Sequence, residues 1–488
     1  LGAVLVALLA WLMPREAVPA LQRATAAKPV VAVRPLPAPT SPFDPLTFAV
    51  ASSLNARLRS SPEVRVTSAE AVAALNDVVT TSAAIMATLQ SDALVELTPV
   101  QQGPNGYQAN ARLIMAGGLP ITLPTIGPVA TLESLGDALA SALASPLRLN
   151  PEALHGGSPG TAAGNAEALE LFARGLRQIA TESPEGTTQA CQSFKASTDA
   201  DPEFAAGYAR WAQCLLTQYR FGMLPARAAF DYARTAASMA LARDADSADA
   251  RAALADLYAE EGNNWGRAES EFHEALARDS SNVYARSRYA MLLAGRGRTS
   301  ESVEQLTEAL RSSPLSMTTK GYLAMSLHYA GRDDEALEMF QQLRGLDASL
   351  ESALVGQCRI FVAVGKFDEA VTTCRQLLAR RDGRDAFAEA QIAAALGRLG
   401  RHAESARQLA QLRTACDEAP AADRPNLAFF LATAYAGLEQ VDQVFPWLEV
   451  AARGKSSRLA YLRVDPRFAV VRADPRWAQI LAAYEGQP

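Results

Sequence analysis

The side chains with the most chemistry to offer in this 488-residue chain are five Cys and four His. Cys191, Cys214, Cys358, Cys374 and Cys416 form no C-x-x-C pair. His155, His273, His328 and His402 are scattered, none with a second His or Cys at ligand spacing, so no donor set for a structural metal or a redox centre is visible. In an oxidising compartment Cys191 would pair with Cys214 and Cys358 with Cys374, leaving Cys416 free. In a reducing one all five serve as small buried thiols. The phosphate-cradling G-x-x-x-x-G-K-[ST] and the dinucleotide G-x-G-x-x-G are absent. Asp333-Asp-Glu335 and Glu260-Glu261 sit where turns between helices are expected, and read as helix-start capping and solvation rather than a catalytic pair. No catalytic residue, cofactor or metal is assigned, and the chain reads as non-enzymatic.

What remains is recognition, and the elements for it repeat. From about residue 165 every segment has helical spacing, with self-similarity at a period near 34, the period of tetratricopeptide repeats. Over 283–316, Tyr289, Ala290, Leu293, Gly297, Leu306, Ala309 and Pro314 take the large, small, large, turn, large, small and stop positions of a helix-turn-helix unit. Residues 317–350 repeat this with Leu323, Ala324, Leu327, Gly331, Ala336, Phe340 and Leu343. Residues 351–384 repeat it with Cys358, Phe361, Gly365, Ala370, Cys374 and Leu377, which puts the two Cys on opposing helices. Further units start near 205, 248, 386 and 425, and an atypical first pair covers 165–204. The small residues let the two helices of a unit cross closely. One unit cannot bury its own faces, so seven or eight stack into a superhelix with an inner groove, a binding geometry rather than a catalytic one. Positions 2, 5, 6, 9 and 12 of each first helix, helix A, face that groove, which names Tyr284, Arg288, Tyr322, Met325, His328 and Arg359 as candidates to hold a protein or peptide. Ordinary packing is the competing reading of those six.

Before the repeats, residues 29–150 read as a small α/β domain. Strands are expected at Val30–Val33, Val64–Ser68, Ala93–Gln101, Tyr107–Ala116 and Pro120–Ile126, and helices at 43–59, 69–76, 80–90 and 131–145. A Gly- and Pro-rich linker, 151–164, leads to the array over 165–452, and 453–488 closes it. The first thirteen residues carry no charge and are too short for a full membrane crossing. They read as part of a transmembrane helix, with a signal-peptide core and a buried helix as alternatives, and 14–28 as a tether. A net charge of −6 gives no electrostatic attraction to nucleic acid.

The closing residues carry a resemblance. Pro446-Trp-Leu-Glu449, Tyr461-Leu-Arg-Val-Asp-Pro-Arg-Phe468 and Asp474-Pro-Arg-Trp477 resemble the end of tetratricopeptide arrays in bacterial membrane-bound regulators of the CadC type. Val31-Ala-Val-Arg-Pro-Leu36 is similar to the first strand of TolB amino-terminal-like domains, with Arg34 at a normally apolar position. The resemblance implies an inner-membrane protein with its bulk in the periplasm. It implies a sensor and protein-interaction region whose winged-helix output domain lies before Leu1, the membrane being met through the N-terminal helix. A membrane-tethered scaffold or assembly factor of a cell-envelope complex is the alternative, and either would accommodate a homo-oligomer.

Overall fold

Val30–Arg34 are buried, as a strand covered on both faces must be. The computed structural model describes residues 28–37, 44–68, 71–72, 75, 81–155, 165–261, 264–348, 350–381, 383–421 and 423–485. The expected membrane segment 1–13, most of the tether and most of the linker lie outside them, and the expected helix 69–76 is described only at 71, 72 and 75. The chain is mainly α, with a small α/β region ahead of an array of helical hairpins. The described residues fall into two compact units, one drawn from 1–257, 266–288 and 307–316, the other from 258–265, 289–306 and 317–488.

In the first unit, β1 (Val30–Pro35) lies parallel to both β2 (Arg65–Val66) and β3 (Ala93–Leu97). Strands β6 (Ala111–Met115) and β7 (Ile121–Thr122) continue the sheet antiparallel. Alternate residues go to opposite faces. Val31, Val33 and Val95 meet Leu54 and Leu58 of α1 (Pro45–Ser60) and Leu139 and Leu143 of α3 (Leu132–Leu147). Ala32 and Leu94 meet Ile85, Met86 and Leu89 of α2 (Ser82–Leu89).

The two long strands expected at 93–101 and 107–116 are each broken in two. Pro99 cannot donate to a ladder, and at the facing position the Asn110 carbonyl accepts from both N and Oγ1 of Thr98 (3.0 and 3.1 Å). Beyond that point β4 (Gln101–Gly103), β5 (Gly106–Ala109) and β8 (Ile126–Val129) form a second, three-stranded sheet. Pro124 likewise ends β7 early, so the strand expected at 120–126 is two residues long and β8 follows instead.

Among the described residues eight hairpins follow. In the first unit α4 (Ala166–Ile179) pairs with α5 (Pro184–Ala200), and α6 (Ala205–Arg220) with α7 (Ala226–Arg243). The residues of α8 (Ala248–Glu260), α9 (Trp265–Arg278), α10 (Val283–Gly295) and α11 (Thr299–Ser312) are shared out between the two units. The second unit holds α12 (Met317–Tyr329) with α13 (Asp333–Leu346), α14 (Glu351–Ala363) with α15 (Phe367–Arg380), α16 (Ala386–Arg398) with α17 (His402–Glu418), and α18 (Arg424–Gly437) with α19 (Val441–Arg453). Two 3-10 turns, Ser457–Tyr461 and Pro466–Val471, and α20 (Pro475–Glu485) are the last described elements. Leu459, Leu462, Phe468, Val471, Trp477 and Ile480 from this stretch cover the last hairpin's apolar face, as a terminal cap must.

Four successive hairpin turns, from α10–α11 to α16–α17, share one chemistry. Gly297, Gly331, Gly365 and Gly400 have φ of 83, 77, 78 and 75°. The next residue's N–H returns to the carbonyl five back, Arg298 to Leu293, Arg332 to Leu327, Lys366 to Phe361 and Arg401 to Leu396, the closure of a Schellman cap. Arg298, Arg332 and Arg401 then reach forward to Glu301, Glu335 and Glu404. Gly331→Ala forces an L-residue into the left-handed region and is expected to cost about 1 kcal/mol, read as a lower urea midpoint at unchanged slope.

Helix crossing sets a second requirement. A Cβ on Gly356 of α14 would stand 2.2 Å from the Phe340 ring of α13. Gly356→Ala is expected to destabilise by about 2 kcal/mol, and adding Phe340→Leu should recover much of that loss.

Candidate functional site

The six groove candidates are positioned by successive first helices, and they gather at two places. In the first unit Tyr284 and Arg288 converge on Asp256, which is fully buried. Arg288 Nε donates to Asp256 Oδ1 at 2.7 Å, Arg220 Nη1 donates to Oδ2 at 2.8 Å, and the Tyr284 hydroxyl donates to the same carboxylate. Burial by itself would raise the Asp256 carboxyl; Arg220 and Arg288 outweigh it and hold it below the usual carboxylate range. Burial and the neighbouring Asp256 push the Tyr284 hydroxyl well above its ordinary value. Two turns earlier on the same helix, α8, Asp249 receives Arg210 (3.4 Å), the Gln213 amide (3.2 Å) and the Asn282 amide (2.8 Å).

Asp249, Asp256, Arg210 and Gln213 were not named from sequence, although the signal was there. They occupy positions 2 and 9 of the helix starting at Ala248 and positions 6 and 9 of the helix starting at Ala205, the positions the groove rule selects. Tyr284 and Arg288 are thus held in a polar ladder that runs from one first helix to the next.

In the second unit His328 is fully buried, with Nδ1 2.5 Å from Asp333 Oδ1. Arg359 Nη1 donates to the Tyr329 hydroxyl at 2.8 Å, while Tyr322 and Met325 are half-buried. The groove positions of Arg359 and His328 are met by the chain's own closing segment. Tyr461 stacks on Tyr329 with ring centroids 5.4 Å apart and 13° between planes. The Asp465 carboxylate lies 4.0 Å from Arg359 and is clasped by Arg467. Burial would raise the Asp465 carboxyl; Arg467 and then Arg359 reverse this and hold it far below the carboxylate range.

The α/β region contributes a third polar node. Arg34, Glu96 and Arg112 sit opposite one another on β1, β3 and β6, with Arg34 3.5 Å and Arg112 2.5 Å from the buried Glu96 carboxylate. Ser82 Oγ donates to the same carboxylate at 2.7 Å. The charge at position 34 is therefore a structural pairing, which explains its departure from an apolar strand. Within the same unit Arg59 reaches Asp279 (3.2 Å), Arg65 pairs with Glu308, and the Ser68 N–H donates to the Ser312 carbonyl (3.0 Å), so the α/β region is fastened to the hairpins.

Cys191 on α5 and Cys214 on α6 are disulfide-bonded with Cα atoms 5.5 Å apart, as are Cys358 on α14 and Cys374 on α15 at 5.4 Å. Cys416 is a buried free thiol whose pKa burial raises. His273 and His402 are exposed, and no group of His, Cys, Asp and Glu among the described residues is arranged to hold a metal. Asp333, Asp334 and Glu335 occupy the first turn of α13, where they complement the helix dipole. A G-x-S-x-G spacing is present in the linker, as Gly156-Gly-Ser-Pro-Gly160, although no nucleophile elbow is expected there. It lies outside the described residues and follows the 3-10 turn Pro151–His155 where a nucleophile elbow needs a strand. No helix among the described residues is long and apolar enough to cross a membrane.

No family model matches the chain, and no curated protein matches it. Among solved structures it is similar to PilF of Pseudomonas aeruginosa, with 22% identity, 43% of this chain and 95% of that one covered, and a TM-score of 0.34. It is similar to PilW, a type IV pilus biogenesis factor, with 18% identity, 43% and 94% covered, and a TM-score of 0.37. It is also similar to human IFIT1, solved as a dimer with PPP-AAAA, with 16% identity, 62% and 73% covered, and a TM-score of 0.41. The fold itself is established by the chain's own hairpin pairing, turns and packing.

The ladder predicts an acid response. Asp256 titrates lower folded than unfolded, so the unfolded state binds more protons as pH falls through the carboxylate range, and the stability Asp256 contributes above about pH 4 is lost below it. Asp256→Asn strands Arg220 and Arg288 and is expected to cost about 3–5 kcal/mol at neutral pH. It should also flatten the fall in unfolding free energy between pH 5 and 2 relative to wild type, both read from denaturant titrations.

Proposed function

We propose that the chain is the non-enzymatic, protein-binding region of a membrane-anchored bacterial regulator, exposed to the periplasm and coupling partner occupancy to an output domain on the other side of the membrane. The observation that supports the protein-binding part is the succession of first-helix faces, on which Tyr322 and Met325 are half-buried while Tyr284, Arg288 and Arg359 hold partners within the chain. Such faces offer area and directional contacts to a polypeptide and no nucleophile, base or metal set for chemistry. The periplasmic part is supported by the two disulfides, which persist in oxidising compartments. The regulator part is supported by the resemblance of the closing segment and of the first strand, and the membrane anchor by the uncharged run Leu1–Met13.

A fixed scaffold of an envelope assembly is the second reading. The fully paired ladder at Asp249 and Asp256 favours it, because a surface already satisfied internally is preorganised rather than adaptive.

Two measurements test these readings. A photo-crosslinking side chain at Met325 in cells should capture a discrete polypeptide, while one at the exposed Glu304 should not. Sub-stoichiometric capture that depends on a stimulus favours the regulator, fixed stoichiometry favours the scaffold, and no capture at Met325 overturns both. Under denaturing, non-reducing conditions one thiol per chain, Cys416, should be alkylated, rising to five after reduction; five before reduction would overturn the periplasmic assignment.

A further inference from the structure

Two turns near the end of the chain share one construction but have different surroundings. In Asp465-Pro-Arg-Phe468 and Asp474-Pro-Arg-Trp477 the Asp accepts the backbone N–H of the Arg two residues on (3.1 and 2.9 Å). The same Asp accepts that Arg's Nε (2.9 and 3.0 Å), and the aromatic ring enters the core under the last hairpin. Arg476 of the second turn reaches on to Asp442, whose side chain is solvent-exposed. The first turn is instead sunk among first-helix residues. Asp465 is 1% exposed and 4.0 Å from Arg359, and Tyr461, four residues before it, lies flat on Tyr329, which itself accepts from Arg359.

The surroundings offer more donors than Asp465 uses. Nε of Arg359 and Nη1 of Arg467 are buried donors with no hydrogen-bond partner among the described residues, and Nε2 of His328 is a buried ring nitrogen likewise without one. A local turn needs none of these groups, as the exposed second turn demonstrates. Buried donors left without acceptors are costly, and an added acceptor would relieve that cost.

We propose that Tyr329 and Arg359, with His328, form a recognition site for an acidic peptide segment of a partner protein, and that residues 461–468 of this chain occupy it as a built-in competitor. The partner segment carries an Asp or Glu with an aromatic residue four positions before it, the pattern its internal stand-in presents as Tyr461 and Asp465. The inference rests on the protein-binding reading above and adds which partner chemistry the face takes.

The test uses the full chain and a fluorescent peptide of sequence Tyr-Leu-Arg-Val-Asp-Pro-Arg-Phe, with binding read by anisotropy. Asp465→Asn weakens the internal occupant and should tighten peptide binding about tenfold or more over wild type, the scale of one charge-assisted hydrogen bond. Asp474→Asn, which loosens the matching turn away from the site, should leave binding at the wild-type level. Adding Arg359→Gln to Asp465→Asn should abolish the gain, and so should replacing the peptide's Asp by Asn. Equal binding by wild type and Asp465→Asn, or indifference to the peptide's Asp, overturns the proposal.

Should Asp465→Asn fail to retain its helical circular dichroism, hydrogen exchange on Arg359→Gln decides. Residues 457–467 should exchange about tenfold faster while 475–485 stay unchanged, and uniform exchange overturns the proposal. Capture of a partner at Met325 together with a failed peptide arm would sink this inference and leave the protein-binding reading standing.

Discussion

A helical hairpin has two apolar sides and can bury one of them against its own second helix only if the helices approach closely; the other side must find the next hairpin. Everything else in the array follows from that constraint. Ala290, Ala324 and Gly356 are small because a neighbouring helix passes over them, and Leu306 and Phe340 are large because the space beside that crossing has to be filled. The α18–α19 hairpin is covered instead by Phe468, Val471, Trp477 and Ile480 from the segment that follows it.

Stacking then fixes where polarity can go. First-helix side chains that do not join the apolar layer are brought side by side at the hairpin spacing, at distances where charges interact strongly and water is scarce. A single buried carboxylate there would be costly. Asp249 and Asp256 are tolerated because Arg210, Arg220, Arg288, Tyr284, Gln213 and Asn282 arrive from adjacent helices, and Glu96 is tolerated between Arg34 and Arg112 for the same reason.

The hairpins were legible because their determinants are local and recur. A Gly in the left-handed region closes five of the turns, at Gly222, Gly297, Gly331, Gly365 and Gly400, and first helices begin at Ala205, Ala248, Val283, Met317, Glu351, Ala386 and Arg424, at or within a residue of where the spacing puts them. The strands at 93–101 and 107–116 misled because apolar alternation runs straight through Pro99 and Asn110, and the break depends on a hydrogen bond between two strands rather than on either strand's pattern. The groove was legible as positions but not as contacts. Nothing near His328 or Arg359 in the sequence announces Asp465, which arrives from far along the chain, whereas Asp256 could have been found by carrying the same position rule one hairpin back.

The two disulfides join different kinds of neighbour. Cys358–Cys374 lies within one hairpin, tying its two helices to each other; Cys191–Cys214 ties the second helix of one hairpin to the first helix of the next. Where hairpins hold one another side by side, unravelling travels as a zipper opens, and here it is also resisted by the ties of the α/β region to Asp279, Glu308 and Ser312. A clasp inside a hairpin keeps one tooth intact but lets the zipper pass, while a clasp between hairpins stops it. The pair at α5 and α6 is therefore a covalent stop between the first two hairpins, behind the α/β region's own ties to Asp279 and Glu308.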